Sequence, residues 1–211
     1  MQSWSLENAV KLQKEFPYTF YRPSDAVIDM LEPEKATVKL IFRFEPYEDD
    51  QPAAERMWVI VNSINEDGTY IGTLDNDPYH IKDLKAGDKI LFGKEHIIQY
   101  DTLDELEVED IKAGIVEKYL KKCFVSNHIM HEGYRVGRLY REEFEEEEYT
   151  GWTFMSDYES QEYVDNHNNL QYVAIGTVLN NDDSFIHLLD SPVGSEFALD
   201  EVTNTFYKLE D

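Results

Sequence analysis

The sequence predicts an α+β fold of two small domains, each built from antiparallel β-hairpins or sheet and short helices. Three observations carry this. Short β-branched and aromatic runs recur along the chain with turn residues between them. Helical spacing of apolar residues is confined to a few short pieces. Finally, 211 residues that are 42% apolar and 13% aromatic supply a core for one large or two small domains.

Ser3 or Ser5 is expected to cap a first helix running to about Phe16, with Leu6, Val10 and Leu12 on its apolar side and Pro17 as its stop. Ser24 is expected to cap a second helix over residues 25–31, ended by Pro33. ATVKLIFRF, residues 36–44, changes the period to extended, and EPYEDDQPAAE after it reads as an exposed loop. A hairpin follows, made of RMWVIVNSI, the turn Asn65-Glu66-Asp67-Gly68 and TYIGTL. Lys85-Ala86-Gly87-Asp88 then turns the chain into the strand KILF. Leu103, Leu106, Ile111, Ile115, Val116 and Tyr119 return to helical spacing, so residues 102–122 read as the connection between a domain over 1–118 and one over 119–211. Gly114 weighs against one continuous helix, at about 1 kcal/mol relative to alanine.

In the second half, CFVSNHIM and YRVGRLYRE, joined by His131-Glu132-Gly133, are expected to form another hairpin. A GWTFM strand, a short helix near residues 160–164 and an NHNN turn come next. QYVAIGTVL and DSFIHLLD read as one strand with two short helical pieces, and SEFAL and NTFYKL as closing strands.

A formal charge of -25 repels phosphate backbones and anionic lipid headgroups, so neither nucleic acid nor a membrane surface is an expected partner. Asp and Glu exceed Lys and Arg in both halves, which excludes a mere acidic tail. The single cysteine, Cys123, excludes an internal disulfide and a cysteine-built zinc site. With no basic, apolar leader at the start and no long apolar run, the expected location is the cytoplasm.

No motif names a reaction. Asp75-Asn76-Asp77 fails as a calcium loop because His80 and Ala86 stand where glycine and glutamate are needed, so it reads as a turn bonding its local backbone before Pro78. His128 and His131 beside Glu132 lack zinc-protease spacing and fall in a strand running into a turn. Cys123, flanked by Phe124 and Val125, reads as a buried structural thiol rather than a nucleophile. Ser195 in SPVGSEF lacks the glycines of a nucleophile elbow. No catalytic residue, metal ligand or cofactor is therefore expected.

The run EEFEEEE, residues 142–148, is either a solvated loop anchored by Phe144 and Tyr149 or a recognition rim. Arg135, Arg138 and Arg141 alternate faces in a strand, and Arg141 is placed to pair with Glu142 or Glu143. If the run recognises a partner, the candidate protein-binding residues are Glu145, Glu146, Glu147, Glu148, Tyr149, Trp152 and Tyr158. Core packing in the GWTF strand is the competing role for Trp152.

From Cys123 onward, CFVSNHI, GYRVGRLYREE, TGWTFMSDYESQEYVDN and LLDSPVGSEF, in that order, resemble a bacterial family of immunity proteins from polymorphic toxin systems, the class numbered thirty-three and formerly a domain of unknown function. The first half, through ERMWVIVNSI, YIGTLDNDP and LKAGDKILFGKEHI, resembles another uncharacterised bacterial domain family with an NDP turn. The resemblance implies a non-catalytic α+β module that binds a partner toxin, and a basic toxin domain would suit the acidity. The alternative is a small-ligand-binding protein or enzyme with a cleft between the domains lined by Trp58, Tyr79, His80 and His96.

Overall fold

The computed structural model describes residues 2–47, 50–101 and 118–210. It is α+β, with two mostly antiparallel sheets and short helices, and divides into two compact units, Met1–Lys112 and Ala113–Asp211.

In the first unit the strands are β1 (Trp4–Leu6), β2 (Thr37–Phe44), β3 (Ala54–Ile64), β4 (Tyr70–Leu74), β5 (Lys89–Phe92) and β6 (Ile97–Asp101), with helices α1 (Ala9–Glu15) and α2 (Asp25–Ile28). They form one sheet in the order β1-β2-β3-β4-β5, with β6 also on β2, and every pairing is antiparallel. Period-two alternation turns Val38, Leu40, Phe42 and Phe44 of β2 inward, where Met57, Val59, Val61, Ile90 and Phe92 meet them. The β3–β4 hairpin closes as its turn residues dictate, with Gly68 at a φ of 83°. Gly72 is required by contact: a Cβ there would lie 2.4 Å from Val59 Cγ1 and 2.7 Å from the Ile60 carbonyl oxygen.

Three expectations for this unit need correction. The first helix begins later than Ser3 or Ser5, because Trp4 and Leu6 follow a strand period and pair with Phe44 and Phe42. Trp4 meets the Phe42 ring at 5.1 Å, and the cap is Asn8, whose side chain accepts from the Lys11 N–H at 2.9 Å. Asn76 and Asp77 do not bond their own neighbours either. Asn76 Oδ1 accepts from the Trp58 N–H and Asp77 Oδ1 from the Ala86 N–H, both at 2.9 Å, tying β3 and the 85–88 turn together. The helix over 25–31 is capped by Ser24 as expected but stops at Ile28.

The second unit contains β7 (Lys122–Ser126), α3 (Asn127–His131), β8 (Arg138–Arg141), β9 (Tyr149–Met155), α4 (Gln161–Asp165), β10 (Leu170–Ala174), α5 (Ile175–Leu179), β11 (Glu196–Asp200) and β12 (Thr205–Lys208). The sheet order is β10-β7-β9-β8-β11-β12, parallel between β7 and β9 and antiparallel elsewhere. The expected hairpin of β7 with β8 does not form, because Ser126 Oγ accepts from the His128 N–H at 3.2 Å and starts a helix where the turn was placed. His128 and His131 therefore sit on a helix and not on a strand. Strand β9, buried from Gly151 to Met155, takes the sheet centre between them.

Cys123, Val125, Leu139, Trp152, Phe154 and Phe197 are buried, as are Val178, Leu179, Phe185 and Leu189 from the segments after β10. Phe154 meets Phe185 at 4.7 Å, and the Trp152 indole N–H donates to the Leu189 carbonyl at 3.3 Å. The helical reading of residues 102–122, Gly114 included, lies outside the described residues up to 117, and Lys122 opens β7. Among the described residues no helix is long and apolar enough to cross a membrane.

Because Trp152 is 1% exposed and Tyr158 is 63% exposed, the two should separate in a urea titration followed by circular dichroism. Trp152→Ala is expected to cost about 3–5 kcal/mol and Tyr158→Ala no more than about 0.5 kcal/mol.

Candidate functional site

The register of the second sheet sets a row of side chains on the face opposite Trp152 and Phe154. Tyr172 of β10 stands across from Phe124 of β7, Phe124 across from Thr153 of β9, and Thr153 across from Tyr140 of β8. Strand alternation sends these outward because their neighbours Cys123, Val125, Trp152 and Phe154 turn inward. Tyr149 joins them, its ring 5.4 Å from Phe124 and 5.9 Å from Tyr172, while Phe124 and Tyr172 are 5.1 Å apart. Phe144, from the loop, meets Tyr149 edge-on at 5.9 Å. Phe124, Phe144 and Tyr172 keep 37%, 38% and 42% of their surface exposed, which makes a contiguous aromatic patch. Burial pushes the hydroxyls of Tyr140 and Tyr149 up, against the hydrogen bonding of Thr153, so both stay protonated donors at neutral pH.

The glutamate run borders this patch. Residues 142–148 join β8 to β9, and all seven are exposed. The loop is held at both ends by backbone: the Glu142 N–H donates to Gly151 at 2.9 Å, and Glu148 accepts from the Lys122 N–H at 2.6 Å. The Tyr172 hydroxyl donates to Glu146 Oε2 at 3.4 Å, which ties the acid to the aromatic row.

Among the residues expected from sequence, Glu145, Glu146, Glu147, Glu148 and Tyr149 lie together at this edge. Trp152 lies apart from them, its indole buried on the opposite face of the sheet. Tyr158 belongs to another neighbourhood: its ring lies 5.6 Å from Tyr134, its hydroxyl donates to Glu201 at 2.5 Å, and it lines a cavity of about 480 Å³ with Arg135 and Asn204. Phe124 and Tyr172 were missed. The alternation in CFVS marked Phe124 as outward, but its meeting with Tyr172 depends on a pairing across 47 intervening residues that no local pattern states.

Arg141 does not pair with Glu142 or Glu143. Its guanidinium donates from Nε to the Thr150 carbonyl at 3.0 Å and from Nη1 to the Ser191 carbonyl at 2.6 Å. Arg138 pairs with Glu196 across β8 and β11, which raises the guanidinium pKa chiefly through that hydrogen bond.

A second polar cluster braces the unit. Glu159, only 2% exposed at its side chain, receives the Ser156 N–H at 2.9 Å and its hydroxyl at 2.8 Å, and His128 Nδ1 stands 3.5 Å away. Burial alone would push the Glu159 carboxyl up, yet hydrogen bonds from Ser126 and Ser156 outweigh it and hold the group below its ordinary value. His128 Nδ1 faces both Ser156 Oγ, at 3.3 Å, and Glu159, so the same ring nitrogen meets both groups and the ring does not bridge one to the other. Its ring lies between Tyr163 at 4.3 Å and Tyr134 at 5.1 Å. Cys123 is a buried thiol that burial pushes up, away from nucleophilic use. Among the described residues no three His, Cys, Asp or Glu side chains converge as a metal ligand set.

The residues named for a ligand cleft all belong to the first unit and serve local structure there. Trp58 carries the Lys39 ammonium 4.3 Å above its ring, His80 stacks on Phe44 at 5.9 Å, and His96 Nδ1 accepts from the Gly93 N–H at 2.9 Å. Tyr79 is 89% exposed, its N–H held by the Glu55 carboxylate at 2.8 Å.

Residues 1–110 match the model of a family described as an uncharacterized protein conserved in bacteria, DUF2314. The chain belongs to the DUF2314 family. Residues 123–210 match the Immunity protein Imm33 domain, so the aromatic row and the glutamate loop both lie within the Imm33 segment. No curated protein and no solved structure matches the chain.

Glu159→Gln is expected to destabilise the protein by about 1.5–3 kcal/mol at pH 7, since it removes a buried charge that accepts hydrogen bonds from Ser126 and Ser156. A carboxyl with a depressed folded pKa contributes fully above its unfolded value of about 4.3 and loses that contribution as pH falls through the folded value. Denaturation at pH 7 and at pH 3 should therefore show the gap between wild type and variant narrowing in acid.

Proposed function

We propose that the chain is a non-catalytic, cytoplasmic protein-binding module of immunity type, whose second unit docks on and neutralises a toxin domain. The observation that carries this reading is the exposed aromatic patch of Phe124, Tyr149, Tyr172 and Phe144, edged by glutamates, inside the Imm33 segment. An aromatic centre beside a charged border is how protein interfaces divide anchoring from steering. The occupant that fits is a protein surface with an apolar centre and Lys or Arg around it. Charge complementarity favours it, since the loop presents six glutamates and the whole chain carries -25. Residues 145–148 and Tyr149 act directly in this reading, Trp152 supports the strand from behind, and Tyr158 has no part in it.

The test pairs two tagged full-length baits, wild type and the double variant Phe124→Ser, Tyr172→Ser, in lysate of the cell that makes the protein. The expected partner is held one-to-one by wild type, arrests growth when expressed alone and is tolerated when co-expressed with the chain. Loss of the two aromatic side chains should weaken binding at least about tenfold. Changing glutamates 145–148 to glutamine should slow association several-fold at low salt and flatten its salt dependence, with less effect on dissociation. A partner that binds both variants unchanged sinks the face, and a partner without toxicity sinks the immunity role.

A further inference from the structure

Beneath the foot of the glutamate loop the second unit holds a cavity of about 210 Å³, and its charge runs against that of the protein. Lys118, Lys121 and Arg141 line it, against a single lining carboxylate among the described residues, Asp190. Three of the chain's 19 Lys and Arg residues therefore converge on one small hollow, where 44 acidic residues surround the rest.

The guanidinium is already positioned. Two of its nitrogens are spent on the Thr150 and Ser191 carbonyls, and Arg141 sits 5.8 Å from the Trp152 ring and 5.9 Å from the Phe144 ring. These contacts fix the group between rings without neutralising it, and leave Nη2 with no hydrogen bond to the described residues. Lys118 reaches Asp190 at 2.7 Å, but that aspartate is 82% exposed, so an incoming anion competes with a weakly held one. Lys121 is exposed at the rim.

We propose that this cavity is a carboxylate-binding site, and that the carboxylate it takes is presented by a polypeptide, as an acidic side chain or a chain terminus. A fixed guanidinium flanked by two ammonium groups matches the two oxygens of a carboxylate, and the volume suits a small group rather than a nucleotide. The net charge of the protein repels free anions in bulk water, so a carboxylate carried on an otherwise basic or neutral chain has the advantage. The cavity and the aromatic face share Phe144 and Tyr149, so one partner spanning both would meet cationic and anionic ground side by side. Such alternation rejects partners that carry only one sign of charge. The site stands without the immunity reading, which is tested at Phe124 and Tyr172 instead.

The full-length protein, in low-salt buffer free of carboxylates and phosphate, is titrated with acetate, with N-acetyl-Ala-Ala bearing a free carboxylate, and with its amide. The Trp152 indole N–H resonance is followed by NMR. Acetate and the peptide acid are expected to move it saturably and the amide to leave it unmoved. The double variant Lys118→Gln, Lys121→Gln, which alters exposed side chains only, is expected to bind the acid about tenfold more weakly. An acid at least about tenfold tighter than acetate identifies a polypeptide carboxylate, while equal affinity overturns that source in favour of a free small carboxylate. Absence of a saturable shift, an unchanged titration in the variant, or inorganic phosphate binding tighter than either carboxylate overturns the site.

Discussion

The second unit depends on one strand being buried along most of its length. From Gly151 to Met155, β9 lies between β7 and β8 and is covered on both faces. Trp152 and Phe154 point one way into the packed layer with Phe185 and Leu189, while Thr153 and Tyr149 point the other. A strand in that position must be fixed in register, because a slip of one residue would exchange the two sets. The patch, the loop and the cationic cavity all inherit their positions from it. Tyr149 begins β9, the glutamates lead into it, and Arg141 lies directly across from Trp152.

That placement explains how a block of like charge is tolerated. Six glutamates in one short loop repel, yet the loop is anchored at each end by backbone hydrogen bonds to β7 and β9 and by the Phe144 ring. The side chains extend into water, where their repulsion is screened, and the anchoring is done by groups that carry no charge. Arg141 is withdrawn from the loop and bonded to carbonyl oxygens, which leaves the glutamates uncompensated. An acidic edge is preserved because the nearest fixed cation is turned inward.

Much of the fold was legible locally. The 65–68 turn, the Ser24 and Ser160 caps and the strands KILF, GWTFM and SEFAL follow from residues within a few positions of each other. The errors share one cause. Trp4 and Leu6 became a strand because Phe42 and Phe44 were available to pair with them, and CFVSNHIM failed to form a hairpin because GWTFM, further along, took the place beside it. Asn76 and Asp77 likewise bond to Trp58 and Ala86 rather than to their neighbours. In each case a distant partner outweighed a local preference worth a few tenths of a kcal/mol to about 1 kcal/mol.

The sequence by itself determined the class of the fold, the acidity and the exposure of the glutamate run, because these rest on composition and on periods of two to four residues. It also placed Cys123 in the interior through its apolar flanks. Only the tertiary structure decided which aromatics face outward together and where the cations go. Phe124 and Tyr172 meet through an antiparallel register, and Lys118, Lys121 and Arg141 converge because β9 holds the start of β7 on one side and the end of β8 on the other. Such meetings are made by hydrogen bonds between strands far apart in the chain, and a linear reading has no term for them.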